Sequence, residues 1–169
     1  LKRQIEFRID SSFKSISLHC TELFEQLFPG GKGSLELTNK ENLLETGIEI
    51  NVQPKGKKVK KLSLLSGGER SLAAIAFLFA IFKSFPSPFY ILDEVEAALD
   101  DANLHRMINL LNYLKDDAQF IIVTHQQQTM HAGDILYGVT MEPGSGSRIF
   151  IKTKSEFESL IANEVNKDE

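Results

Sequence analysis

Four short runs in this chain have the residue types and spacing for phosphate and water chemistry. They are "LSGGE" at residues 65–69, the acid pair Asp93-Glu94 closing "FYILDE", Asp100 closing "EVEAALD", and His125 closing "FIIVTH". Ser66 followed three residues later by Glu69 forms a capping box, in which each side chain satisfies a backbone N–H of the other. That accounts for Ser66 and Glu69 but not for Gly67 and Gly68 between them, since a glycine inside a helix costs about 1 kcal/mol against alanine. Glycine offers bare backbone that a ligand can approach closely. A helix N-terminus with exposed N–H groups and the positive dipole end is an anion site. On these residues alone, phosphate contact and plain capping both stand open.

Asp93 and Glu94 emerge at the carboxyl end of an apolar strand, where ligands bind in open α/β sheets. Two adjacent carboxylates suit nucleotide hydrolysis, with Asp93 holding Mg²⁺ through water and Glu94 taking a proton from the attacking water. An acid pair that only begins a loop has the same sequence. His125 fits either a site at that sheet edge or a hydrogen-bonded strand end. Asp100 fits an ordinary N-cap of a helix opening with "DDANL".

Regular elements must position these residues. Ile5, Ile9, Phe13, Ile16, Cys20, Leu23 and Leu27 recur in steps of three and four, one apolar stripe on a long helix stopped by Pro29-Gly30-Gly31. "SLEL" and "GIEINV" alternate as half-buried strands do. "ERSLAAIAFLFAIFKSF" is apolar nearly all round, predicting a helix buried on most faces and ended by Pro86. "PFYILDE" and "AQFIIVTH" read as buried parallel strands flanking the amphipathic helix of "DDANLHRMINLLNYLKDD". "DILYGVTM" reads as a third buried strand, with Gly144 to Gly146 turning it into "SRIFIK". From Thr153 the chain is polar with a short helical pattern. The alternation of strands and helices in the second half predicts a largely parallel sheet covered by helices.

The composition fits these elements. The chain has 169 residues, 42% hydrophobic with twelve phenylalanines, enough for one domain or a large part of one. A net charge of −4 argues against an overall polyanion binder. It leaves room for a local basic patch at Lys55, Lys57, Lys58, Lys60 and Lys61, which reads by default as a solvated loop. The single Cys20 excludes an internal disulfide and fits a reducing, cytoplasmic setting. The start lacks the apolar core of a signal peptide, and its Leu1 suggests a piece of something larger. The apolar run from Leu72 to Phe82 is too short for a bilayer, which needs about 20 residues, so no membrane association is expected.

Taken in order, "LSLLSGGERSLAAIAFLFAIF", "SPFYILDEVEAALDDANL", "FIIVTH" and "DILYGVTM" resemble the C-terminal half of the head of a bacterial SMC (structural maintenance of chromosomes) protein, an ABC-type ATPase. The resemblance implies an α/β fold, the C-terminal lobe of an ABC-type head. Residues 1–28 would be the end of a coiled coil entering the head, residues 29–152 the lobe, and residues 153–169 a polar tail. It implies ATP and Mg²⁺ as cofactors. Asp93 and Glu94 would complete the ATP site of their own head, with His125 reaching the γ-phosphate. Leu65, Ser66, Gly67, Gly68 and Glu69 would form the signature motif that reads ATP on the opposite head, with Asp100 at that interface beside the attacking water. The implied partners are the N-terminal half of the head, a second SMC head, a kleisin subunit on the edge around Ile149 to Leu160, and DNA. Three glutamines, Gln126-Gln127-Gln128, stand where bacterial SMC proteins usually carry basic residues, which weakens the case for phosphate or DNA contact just past His125.

Such an ATPase needs a phosphate loop, G-x-x-x-x-G-K followed by Ser or Thr. The nearest run, "PGGKGS", fails: Lys32 is followed by Gly33, and Gln26 stands where the first glycine belongs. The chain thus reads as half of an active site. "DEVEAALD" and "YGVTM" favour SMC over a related DNA-repair ATPase. A transporter subunit would carry the phosphate loop on the same short chain. A non-catalytic kleisin-docking module would have no need of Asp93 and Glu94.

Overall fold

The computed structural model describes residues 2–53, 55–56, 60–141, 144 and 146–165, with residues 60 and 160–165 described by backbone alone. The chain divides into two compact units, Leu1–Val123 and Thr124–Glu169.

The first unit opens with helix α1 (Lys2–Leu27). Its apolar stripe is only half covered over the first turns and becomes fully buried at Cys20, Leu23, Phe24 and Leu27. The helix stops at Pro29, where Gly30 takes a φ of +73° that a side chain rarely adopts. Strands β1 (Lys32–Leu37) and β2 (Ile48–Gln53) then pair antiparallel, Leu35 opposite Ile50, and a two-residue strand β3 (Lys60–Lys61) extends the sheet. Gly33 sits directly under Phe24: a Cβ there would clash with the aromatic ring, so the glycine sets how closely α1 lies on β1.

Helix α2 (Gly67–Ser84) is the hub. Its buried face carries Leu72, Ala73, Ile75, Ala76, Phe79 and Ala80, and it packs on α1 and on helix α3 (Asp101–Leu114). Pro86 prevents its continuation. The Tyr90 hydroxyl holds the end, donating to the Phe82 carbonyl at 3.1 Å and accepting from the Ser87 amide at 2.8 Å.

Strands β4 (Phe89–Asp93) and β5 (Gln119–Val123) flank α3 in sequence and pair in parallel, Ile91 opposite Ile121 and Asp93 opposite Val123. Tyr90, Leu92, Phe120 and Ile122 alternate onto the covered face, where Tyr90 stacks on Phe82 at 4.0 Å and on Phe120 at 5.6 Å. The opposite face, Phe89, Ile91, Ile121 and Val123, is open, with Ile91 63% exposed. Burial on both faces, expected from the continuous apolar runs, is therefore not met: this chain's helices cover one face only.

The second unit holds a short helix α4 (Gln127–Ala132), a hairpin of β6 (Ile135–Met141) and β7 (Ser147–Thr153), and helix α5 (Lys154–Val165). β6 and β7 pair antiparallel from Ile135–Thr153 to Met141–Ser147. A mixed α/β architecture is present. The expected third buried parallel strand is not, because among the described residues β6 pairs only with β7. Its alternating apolar residues, Ile135, Tyr137, Val139 and Met141, mark a strand with one apolar face, and all four are exposed. α5 starts in a capping box: the Thr153 amide donates to Glu156 Oε2 at 2.8 Å, and the Glu156 amide to Thr153 Oγ1 at 3.4 Å. The Thr153 amide, together with the Thr153 hydroxyl donating to the same Oε2 at 3.0 Å, holds the Glu156 carboxyl below its ordinary value.

Candidate functional site

The N-terminus of α2 carries the first group of candidate residues. Leu65 is buried and anchors the turn. Ser66 is the N-cap with extended backbone. The Glu69 amide donates to Ser66 Oγ at 3.3 Å, while Glu69 Oε2 accepts from the Ser66 amide and hydroxyl, each at 3.1 Å. The capping box is complete, as the spacing predicts. It engages the Ser66 hydroxyl with a carboxylate, which an incoming phosphate would have to displace.

The two glycines turn out to be different. A Cβ on Gly67 would meet nothing within 4 Å, so no neighbour in this chain requires a glycine there. A Cβ on Gly68 would stand 2.9 Å from Asn103 Nδ2 and 3.4 Å from Asp100 Oδ2. Gly67 leaves the first turn open, where a helix has backbone N–H groups without intrahelical partners. Gly68 is instead fitted against the start of α3.

Asp100, expected either as a cap or at an interface, caps α3: its Oδ1 accepts from the Asn103 amide at 2.8 Å. Its Oδ2 accepts from Asn103 Nδ2 at 3.2 Å. Asp93 and Glu94 stand exposed at the carboxyl end of β4, at the margin of the open apolar face. Glu94 has φ +45°, the only non-glycine residue with positive φ among those described. Its amide donates to the Val123 carbonyl at 3.0 Å, which holds the turn against the end of β5. Left-handed backbone at a non-glycine residue costs about 1–2 kcal/mol, and such strain collects at functional sites. Glu96, two residues on, is buried, its carbonyl accepting from the Leu99 amide at 2.9 Å.

Asp93, Glu94, Asp100 and the turn of Leu65 to Glu69 thus belong to one unit. His125 is exposed and belongs to the second unit, between β5 and α4. Nearby the Gln126 amide donates to Thr124 Oγ1 at 3.0 Å. Of the lysines, Lys55 is exposed in a turn. Lys61 pairs with Glu49 at 2.7 Å, which raises the Lys61 pKa. Lys60 lies in β3. Lys57 and Lys58 fall outside the described residues.

Among the described residues no three His, Cys, Asp or Glu side chains cluster to hold a metal ion. The acid pair on β4 suits a metal shared with phosphate oxygens and water, as Mg²⁺ is usually held, better than an all-protein cage. The open turn at Gly67 suits a phosphate. The residues present therefore fit part of a magnesium–nucleotide site. Sequence reasoning did not single out Asn103; the only signal was a polar residue three positions into a helix, on its apolar side.

Comparison with known proteins gives the family. Residues 7–147 match the model of the "RecF/RecN/SMC N terminal domain". The chain is 51% identical over 155 residues to the chromosome partition protein Smc of Mycobacterium leprae, covering 90% of this chain and 13% of that protein. It spans about an eighth of the length of that relative. A structure concerned with ATP-driven dimerisation and DNA-stimulated activation of SMC ATPases superposes with a TM-score of 0.81 at 36% identity, over 94% of this chain and 96% of that one. The Smc head domain of Pyrococcus furiosus, with an extended coiled coil and bound to the C-terminal domain of ScpA, gives 0.78 at 37%, over 98% of this chain and 41% of that one.

Proposed function

The chain belongs to the RecF/RecN/SMC N-terminal domain family and corresponds to part of an Smc head, and from that premise we propose that it is the C-terminal half of an ATP-hydrolysing head that organises the chromosome. The observation that carries this reading is the bare face of the β4–β5 pair. A parallel sheet is stable when both faces are covered, yet Phe89, Ile91, Ile121 and Val123 are exposed, with Asp93 and Glu94 at their margin. A second half, bearing the phosphate loop this sequence lacks, would cover that face and bring a nucleotide to the acids.

In this reading ATP, with Mg²⁺, supplies the phosphoryl group to be transferred to water. Asp93 holds the metal through water, and Glu94 takes the proton of the attacking water. His125 orients the γ-phosphate within the same head. Leu65 anchors the signature turn, so that Ser66, Gly67 and Gly68 read the γ-phosphate held by a second head, and Glu69 keeps the turn capped. Asp100 lies at the same interface. Engagement is then a population shift, because ATP makes its full contacts only when two heads meet. Similarity to the ScpA-bound head supports a kleisin on the second unit, where Ile149 and Ile151 expose an apolar hairpin face beside Tyr137 and Val139. Similarity to SMC ATPases with DNA-stimulated activation and to chromosome partition proteins supports DNA contact through the lysines of residues 55–61 and action at the chromosome in the cytoplasm.

The test is the molecular mass of the Glu94→Gln protein combined with its phosphate-loop half. With ATP and Mg²⁺ it should run as a dimer of heads, and adding Ser66→Arg should return it to single heads. A Glu94→Gln head that stays single at saturating ATP contradicts the proposal.

A further inference from the structure

The start of α3 reaches across to the start of α2 through one side chain. Asn103 is buried, 6% exposed, in the third position of α3. Its Nδ2 donates to Asp100 Oδ2 at 3.2 Å, and its Oδ1 accepts from Arg106 Nη1 at 3.2 Å. The chemistry of the partners fixes that orientation: a carboxylate only accepts and a guanidinium only donates. The same Nδ2 occupies the space beside Gly68 where a Cβ would come to 2.9 Å.

Resting on the proposed function above, we propose that Asn103 is a positioning residue that holds the signature turn and Asp100 as one rigid element, so that both meet the opposite head together. Gly68 is glycine because Asn103 fills its side-chain space, whereas a Cβ on Gly67 would meet open space. Both groups assigned to the second head's nucleotide, the Ser66–Gly68 turn and Asp100, are then registered to each other by a single amide. Arg106 locks the amide from its far end. Because Asn103 is buried, leaving its amide unpaired would be costly.

The inference predicts a particular pattern in the complete head. Asn103→Ala should lower kcat for ATP by roughly tenfold to a hundredfold, the scale of a misplacement of about 1 Å. KM should change by less than about twofold, since the nucleotide is held chiefly by the phosphate loop. Gly68→Ala should do the same by pushing Asn103 aside. The double variant should be no worse than the poorer single, because both break one contact. Asn103→Asp, which sets a second carboxylate against Asp100, should be at least as damaging as Asn103→Ala. Hydrogen exchange supplies a readout that needs no nucleotide. Asn103→Ala should speed exchange at the Glu69 and Arg70 amides of α2, across the contact, which a weakened α3 cap alone would not do. Wild-type kcat in Asn103→Ala, multiplied losses in the double variant, or unchanged exchange at Glu69 and Arg70 would overturn the inference. A wild-type head that does not hydrolyse ATP would count against the proposed function instead, and the exchange result would still decide the role of Asn103.

Discussion

At the scale of single residues, the two glycines of the signature turn separate by their surroundings. Gly67 meets only open space, and Gly68 meets Asn103 and Asp100. Gly67→Ala should leave folding stability unchanged or raise it by up to about 1 kcal/mol, the helix-propensity gain of alanine. It should nevertheless weaken ATP-dependent head engagement, because the methyl group intrudes where the phosphate is read. Thermal unfolding and light scattering of the same variant check both halves of that statement. The sequence carried Ser66, Glu69 and the Asp100 cap legibly, since each follows from spacing along one helix. It could not separate the glycines, because what distinguishes them is a side chain 35 positions further on. The left-handed backbone of Glu94 was equally invisible: nothing in "LDEVE" demands it, and it arises where the chain leaves β4 with its amide held by Val123.

At the scale of elements, two contacts add to the apolar packing that holds α1 on the rest of its unit. The first is the close approach of Phe24 to Gly33. Gly33→Ala should destabilise the protein by about 1–3 kcal/mol, the usual cost of overpacking, and Phe24→Leu in the same chain should recover part of it; a denaturant titration of the three variants reads this. The second is polar: Lys83 at the end of α2 pairs with Glu22 at 2.8 Å and lies 5.5 Å from the Tyr113 ring of α3. His19 Nδ1 and Ser84 Oγ sit 2.9 Å apart one turn away. The hydrogen bond from Lys83 holds the Glu22 carboxyl below its ordinary value of 4.5. For Lys83, partial burial pulls its pKa down, but the bond and charge of Glu22 outweigh that and raise it above 10.5. Glu22 therefore adds stability that is fully present above about pH 4.5 and is lost as the pH falls through its depressed value. The Lys83 share persists until the pH rises beyond 10.5. Because the pair is partly exposed, its worth is about 0.2–1 kcal/mol and shrinks with salt. Glu22→Gln should flatten the acid limb of the stability profile by that amount. The longer helices and strands were legible from periodicity, down to Pro86 ending α2, whereas the short β3 and α4 were not, being too short to show a period. The partner of β6 was not, because an alternating strand does not say which neighbour it pairs with. Cys20 lies inside this core, where burial pushes its thiol up to about 12 and leaves it inert as a nucleophile.

At the scale of the whole molecule, the unit of Leu1–Val123 ends in a sheet with one covered and one bare face, and the hairpin of β6 and β7 also exposes an apolar row. Contiguous apolar surface of this kind marks an interface. The missing phosphate loop was readable by direct search of the sequence. The bare face was not, because a run such as "FYILD" looks the same whether one or both faces are covered. If this chain carries half of an ATP site, ATP turnover with Mg²⁺ will separate three samples: the chain alone, its phosphate-loop half alone, and the two mixed. Either half alone should show no turnover above background, and the mixture a slow, magnesium-dependent hydrolysis abolished by Glu94→Gln. Turnover by this chain alone at the rate of the mixture would contradict a half-site.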